Sequence, residues 1–172
     1  MYIKGEDSLS RIKRELIQVR KSDALASIGA SAGPIDRNDL YHWKACFIGP
    51  KKTGYDGGLF KLLIDFPKTY PKDKPDVNFK YPVFHPNIKC LNFDINNPQG
   101  KYHICIDNLN DWEPEYNIVS VILSIHTLLA NPNAKNGYPD LESTKLLLDN
   151  KEEEFKKKCN EWVRKYSTIE NK

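Results

Sequence analysis

The sequence predicts an α+β fold, in which strands arranged as an antiparallel meander are framed by helices at both ends of the chain. Three observations carry that expectation. Apolar residues repeat at three- and four-residue steps near the start and again over the last third. Between them lie two stretches rich in β-formers, joined by turn material. No internal repeat or linker divides the 172 residues, so one domain over 1–172 is expected, with its core at about 8–166.

The first helix is read from Leu9, Ile12, Leu16 and Val19 in "DSLSRIKRELIQVRKS". Arg11, Lys13 and Arg14 lie off that apolar stripe, and Asp7 or Ser8 is placed to cap the first turn. "ALASIGASAGPIDRNDL" then reads as an interruption of small, turn-forming residues. "LYHWKACFIGP" and "LFKLLIDFP" read as strands; in the second, Phe60, Leu62, Ile64 and Phe66 alternate with mostly polar neighbours. "DVNFKYP" is a further strand, followed by Pro-, Asn- and Gly-rich chain as far as Pro114.

From Asn117 a helix presents Ile118, Val121, Ile122, Ile125, Leu128 and Leu129 on one face until Asn131-Pro132 stops it. Phe155, Cys159, Trp162 and Tyr166 share a face of a last helix, whose acidic first turn suits the helix dipole.

The charged fraction of 28% and net charge of +3 are too ordinary to imply a nucleic-acid footprint. No apolar run reaches membrane-spanning length, and no lipidation box is present. Cys46, Cys90, Cys105 and Cys159 are widely spaced without a secretory signal, so they read as free thiols in a reducing compartment. A soluble protein of the cytoplasm or nucleus, binding neither nucleic acid nor membrane, is the expectation.

Four segments, in order, resemble the ubiquitin-conjugating enzymes, which carry ubiquitin or a related modifier as a thioester: "GPKKTGYDGGLFKLLIDFPKTYP" with "KPDVNF", "HPN" at His85 to Asn87, "ICIDNL" around Cys105, and "DWEP" before the long helix. The resemblance runs from about Ser8 to Tyr166. It implies a four-stranded antiparallel meander flanked by helices, no cofactor and no metal. It also implies four kinds of partner: the modifier, an activating enzyme, ligases and protein substrates, met by a chain acting as a monomer.

The resemblance assigns Cys105 as the modifier acceptor. Thiol chemistry supports this, since a thioester exchanges readily with a thiolate and stays activated enough for an amine to attack. Asn87 is implied as the amide that holds the active-site loop and stabilises the oxyanion, and Asp107 as an acid that orders the same loop or the incoming lysine. Phe66 and Pro67, with Trp112 and Pro114, match two ligase-docking loops in which an exposed aromatic would be the anchor. Arg11, Lys13 and Arg14 match the helix that meets the activating enzyme's acidic face. Ser31 matches a sheet-face site for non-covalent modifier binding.

Two departures stand out. The interval from Asn87 to Cys105 is roughly ten residues longer than the family's usual pattern, an excess that costs only about 0.8 kcal/mol of loop closure. An insertion over about 90–102, forming an exposed polar flap beside the thiol, is expected. Secondly, Asn136 stands where the family places a carboxylate that helps the attacking lysine, with Asp140 the nearest acid downstream.

A catalytically silent scaffold of the same fold is the main alternative, and the presence of Cys105 speaks against it. A zinc module of His85, Cys90, His103 and Cys105 lacks paired short cysteine spacings. A thiol hydrolase using Cys105 with His103 or His85 lacks an evident orienting acid.

Overall fold

Asp7 starts the first helix: its Oδ1 accepts from the Leu9 and Ser10 amides at 3.0 Å each, capping α1 (Ser8–Arg20). The computed structural model describes residues 3–90, 101–139 and 141–168, with the backbone alone for Cys90 and Asn108. Ser22 caps a short α2 (Asp23–Ser27), accepting from Leu25 at 3.2 Å.

The segment expected to be an interruption holds a strand. β1 (Ser31–Asp36) pairs antiparallel with β2 (Asp39–Ile48), with Ser31 opposite Cys46 and Ala32 opposite Ala45. Its small residues carry little β-propensity, and pairing with a long β-rich neighbour supplies the order. Pro34 is tolerated because β1 is an edge.

β2 pairs with β3 (Leu59–Asp65), and β3 with β4 (Asp76–Phe79). The alternation predicted for β3 holds, with Phe60, Leu62 and Ile64 buried, and Trp43, Ala45 and Phe47 are buried in the same alternating way on β2. β1 to β4 form the expected four-stranded meander. A further hairpin, β5 (Ile88–Cys90) and β6 (Tyr102–Ile104), extends the sheet to six strands in the order β1-β2-β3-β4-β6-β5.

α3 (Asp107–Asn110) follows, then α4 (Ile118–Ala130), whose Asn117 and Ser120 form a reciprocal capping box. Ile118, Val121, Ile122, Ile125 and Leu129 of α4 are buried in one cluster with the sheet. A 3₁₀ turn (Ala134–Asn136), α5 (Glu142–Leu148) and α6 (Glu152–Tyr166) complete the chain order.

α6 buries Phe155, Cys159 and Tyr166, as its spacing predicts. It lies so close to the β2–β3 connection that a Cβ on Gly54 would meet Cys159 Cβ at 2.5 Å. Among the described residues no helix is long and apolar enough to cross a membrane.

Candidate active site

β5 and β6 pair with Ile88 opposite Ile104, Lys89 opposite His103 and Cys90 opposite Tyr102. One step beyond Ile88 and Ile104, the Cys105 N–H donates to the Asn87 carbonyl at 2.9 Å. The other end of the hairpin, at Cys90 and Tyr102, is about 10 Å of extended strand away. The expected flap itself lies outside the described residues, but its insertion leaves Asn87 and Cys105 paired.

Asn87 is buried and braces the loop after α4. Its Oδ1 accepts from the Asn133 N–H at 3.0 Å, and its Nδ2 donates to the carbonyls of Asn133 at 3.0 Å and Asn136 at 3.3 Å. Tyr138 adds an amide bond to the Pro86 carbonyl at 2.8 Å. The loop and the His85–Asn87 turn thus form one unit.

His85 fixes that turn. Its Nδ1 accepts from the Asn87 N–H at 3.0 Å, so Nε2 carries the proton and donates to the Leu128 carbonyl at 3.0 Å. Burial pushes its pKa down to about 4, against the smaller opposing effect of that carbonyl. A neutral ring with both nitrogens engaged is a structural part, not a base for Cys105. Among the described residues, no three His, Cys, Asp or Glu side chains cluster to hold a metal ion.

The Cys105 thiol is half-buried and free. Ile106 and Leu109 anchor the following turn in the core, leaving Asp107 and Asn110 exposed. Asn110 Nδ2 lies 3.5 Å from Cys105 Sγ. A cleft of about 710 Å³ runs from Asn87 and Cys105 along α4, lined by Asp107, Asp111, Tyr116, Leu123 and Asn136 among others. Asn136 is exposed on its rim, whereas Asp140 falls outside the described residues.

The remaining predicted residues lie elsewhere, some unlike their expectation. Phe66 is 6% exposed rather than an outward anchor. Its ring packs edge-on against Trp43 and Tyr70, at centroid distances of 5.2 and 4.8 Å. Pro67 is half-buried, as are Trp112 and Pro114. Trp112 reaches across to donate to the Pro71 carbonyl at 2.8 Å, and its ring meets that of Tyr70. The two matched loops are one aromatic assembly.

Arg11 is 1% exposed, which removes its charge from the solvent-facing side of α1. It points inward because Glu15, one turn later, offers it a buried carboxylate, and the Tyr116 carbonyl accepts from its Nη2. Lys13 remains exposed, and Arg14 is partly exposed and paired with Glu6. Ser31 is exposed, its Oγ 3.3 Å from Cys46 Sγ. Both line a second cleft of about 630 Å³ on the sheet, so Cys46 is not the buried small hydrophobe its type suggests.

Two residues drew no attention in the sequence. Asn133 receives the Asn87 brace and Asn110 faces the thiol, yet a lone asparagine in a polar loop carries no pattern.

Residues 11–163 match the model of the ubiquitin-conjugating enzyme family. A probable ubiquitin-conjugating enzyme, E2 7, of Caenorhabditis elegans is 32% identical over 174 residues, covering 93% of this chain and 97% of that one. The E2 domain of a ubiquitin-conjugating enzyme of Toxoplasma gondii superposes with a TM-score of 0.74 at 28% identity, covering 93% and 99% of the two chains. With the fold, the Asn87–Cys105 pairing and the cleft beside it, these matches agree: the chain belongs to the ubiquitin-conjugating enzyme family.

Proposed function

We propose that Cys105 accepts ubiquitin or a ubiquitin-like modifier from an activating enzyme as a thioester and passes it to a lysine amine or a ligase cysteine. The carrying observation is the half-buried Cys105 thiol beside the braced Asn87 turn, at the head of an open cleft. In charging, the Cys105 thiolate attacks the carbonyl of the incoming thioester; a new C–S bond forms, and the activating enzyme's sulfur leaves as thiolate. In discharge, an amine attacks the same carbonyl, a C–N bond forms, Cys105 leaves as thiolate, and the amine's proton passes to solvent. Both steps balance without a cofactor.

Asn87 acts by holding the 133–136 loop against the thiol, and the Asp107 carboxylate faces the approach of a lysine. Lys13 and Arg14 present the basic face to the activating enzyme, with Arg11 as their internal support. Pro67, Trp112 and Pro114 form the ligase surface over a buried Phe66. Ser31 belongs to a non-covalent modifier site on the outer sheet face.

The test is incubation with ATP and panels of activating enzymes and modifiers, scored on non-reducing gels. Wild type should give a reductant-sensitive adduct, Cys105→Ser a more stable oxyester, and Cys105→Ala neither. A reductant-sensitive adduct that persists in Cys105→Ala overturns the assignment.

A further inference from the structure

Both amide hydrogens of Asn87 are taken, by the carbonyls of Asn133 and Asn136, and its oxygen accepts from the Asn133 N–H. With 2% exposure it has no room to turn toward a reacting group without breaking the loop it holds. Yet the sulfur bears negative charge twice in the proposed cycle: as the attacking thiolate, and as the leaving thiolate when the amine displaces it. A preorganised donor aimed at that atom would raise the thiolate population for the first step and lower the barrier to sulfur departure in the second.

Asn110 supplies such a donor. Its N–H bonds to the Ile106 carbonyl at 3.0 Å, locking its backbone one turn after residue 106. Buried Ile106 and Leu109 hold that turn to the core. From there the side-chain Nδ2 stands 3.5 Å from Cys105 Sγ, a reach suited to an N–H bond to a large sulfur. A thiolate also orients the amide, since the carbonyl end of the side chain would be repelled.

We propose that Asn110 is a catalytic residue, whose side-chain amide donates to Cys105 Sγ and stabilises the sulfur both as nucleophile and as leaving group. This rests on the thioester reading of Cys105 given above.

The test uses the full chain with Asn110→Ala and Asn110→Asp. Both changes are on an exposed side chain, and thermal unfolding checks that the fold is kept. Alkylation of Cys105 by iodoacetamide, followed by mass spectrometry of its peptide, should be about fivefold slower at neutral pH in Asn110→Ala, the size of one net hydrogen bond. Asn110→Asp should be slower still. At about pH 10, where thiols are essentially ionised, the Asn110→Ala rate should match or exceed wild type, because a thiolate freed of its hydrogen bond is the stronger nucleophile, and this separates electrostatics from access.

Single-turnover charging should fall by a similar factor in kcat, with KM for the loaded activating enzyme unchanged. Discharge of preformed thioester onto free lysine should fall alongside. An Asn110→Ala alkylation profile that coincides with wild type overturns the hydrogen bond, and unchanged charging and discharge overturn its catalytic role. Failure of the wild-type chain to charge at all overturns the thioester reading instead, while alkylation still reports on the Asn110 contact.

Discussion

Asn87 and Cys105 face each other across the open end of the β5–β6 hairpin, the Cys105 amide donating to the Asn87 carbonyl at 2.9 Å. Strand pairing, not sequence proximity, brings them together. Cys90 and Tyr102, the last pair of that hairpin, stand at its other end.

Replacing Leu91 to Gln99 with a short Gly-Ser connection should leave this pairing intact. The variant should unfold cooperatively in urea, with stability within about 1 kcal/mol of wild type, because shortening a loop changes closure entropy only logarithmically. Charging should persist. Loss of cooperative unfolding would show that the segment is part of the core.

The Asn87 brace can be broken without touching the thiol. Asn87→Ala removes three hydrogen bonds and leaves the partly buried Asn133 and Asn136 backbone groups without their partner. A loss of about 1–3 kcal/mol is expected. Hydrogen exchange should localise it: protection of the Asn133 amide should collapse first, and undiminished protection there would show that the brace is idle.

Charge on α1 divides into an internal part and an external one. Glu15 Oε1 accepts from Arg11 and from the Tyr70 hydroxyl, while its Oε2 accepts from the Ile118 amide at 2.8 Å. Removing either ion strands its buried partner, so Arg11→Ala and Glu15→Ala should each cost about 3–5 kcal/mol, whereas Arg11→Met with Glu15→Leu should cost less than their sum. Lys13→Glu should slow charging at unchanged Tm. If Arg11→Ala slows charging without lowering Tm, Arg11 belongs to the docking face after all.

Much of this was legible in the sequence where period and burial coincide. α4 and α6 follow their apolar stripes and β3 its alternation, whereas on α1 Ile12 and Val19 are buried but Leu9 stays exposed. β1 was not, because Ser31, Ala32 and Gly33 have no strand signature and are ordered by pairing with β2. Three-residue strands such as β5 and β6 exist only through their partners, as does the short α2. Residue type also misleads about charge: a helical wheel counts Arg11 as polar surface, while Glu15 and Tyr70 turn it inward. Cys105 and Asn87 were legible from their motifs, but Asn110 needed coordinates, because only geometry distinguishes it from a solvated amide.

Asn136 suggests how the lysine is activated. No carboxylate stands at that rim position, and a lysine near its reference pKa of about 10.4 is almost wholly protonated at neutral pH. Discharge of the Cys105 thioester onto free lysine, corrected for hydrolysis, should then rise about tenfold per unit between roughly pH 7 and 9. Asn136→Asp should raise the rate at the lower end and flatten the profile. A wild-type profile that levels near pH 8 and steepens in Asp140→Ala would assign the role to Asp140.

His85 makes the site acid-sensitive. Its folded pKa of about 4 lies below the unfolded value of about 6.5, so between these values the unfolded chain binds the extra proton. The stability contributed by the neutral ring is complete above about pH 6.5 and is lost as pH falls toward 4, by up to roughly 3 kcal/mol. His126 is shifted in the same direction by burial and adds to the slope. Glu6, held low by its hydrogen bond from Arg14, and Asp39, held low by the Tyr41 amide, act in a more acidic window, as pH falls below their ordinary values of 4.5 and 3.8. Urea unfolding from about pH 4.5 to 7.5 should therefore show a proton-linked loss. In His85→Gln the baseline should drop, because the fit to Asn87 and Leu128 is lost, but the slope should shrink by up to about one proton. A slope equal to wild type would mean that His85 does not stay neutral in the fold. Protonation of Nδ1 in the folded chain would also abolish its acceptance from the Asn87 N–H, and with a folded pKa of about 4 any loss of charging from that cause should set in only near pH 4, below most of the window in which stability falls.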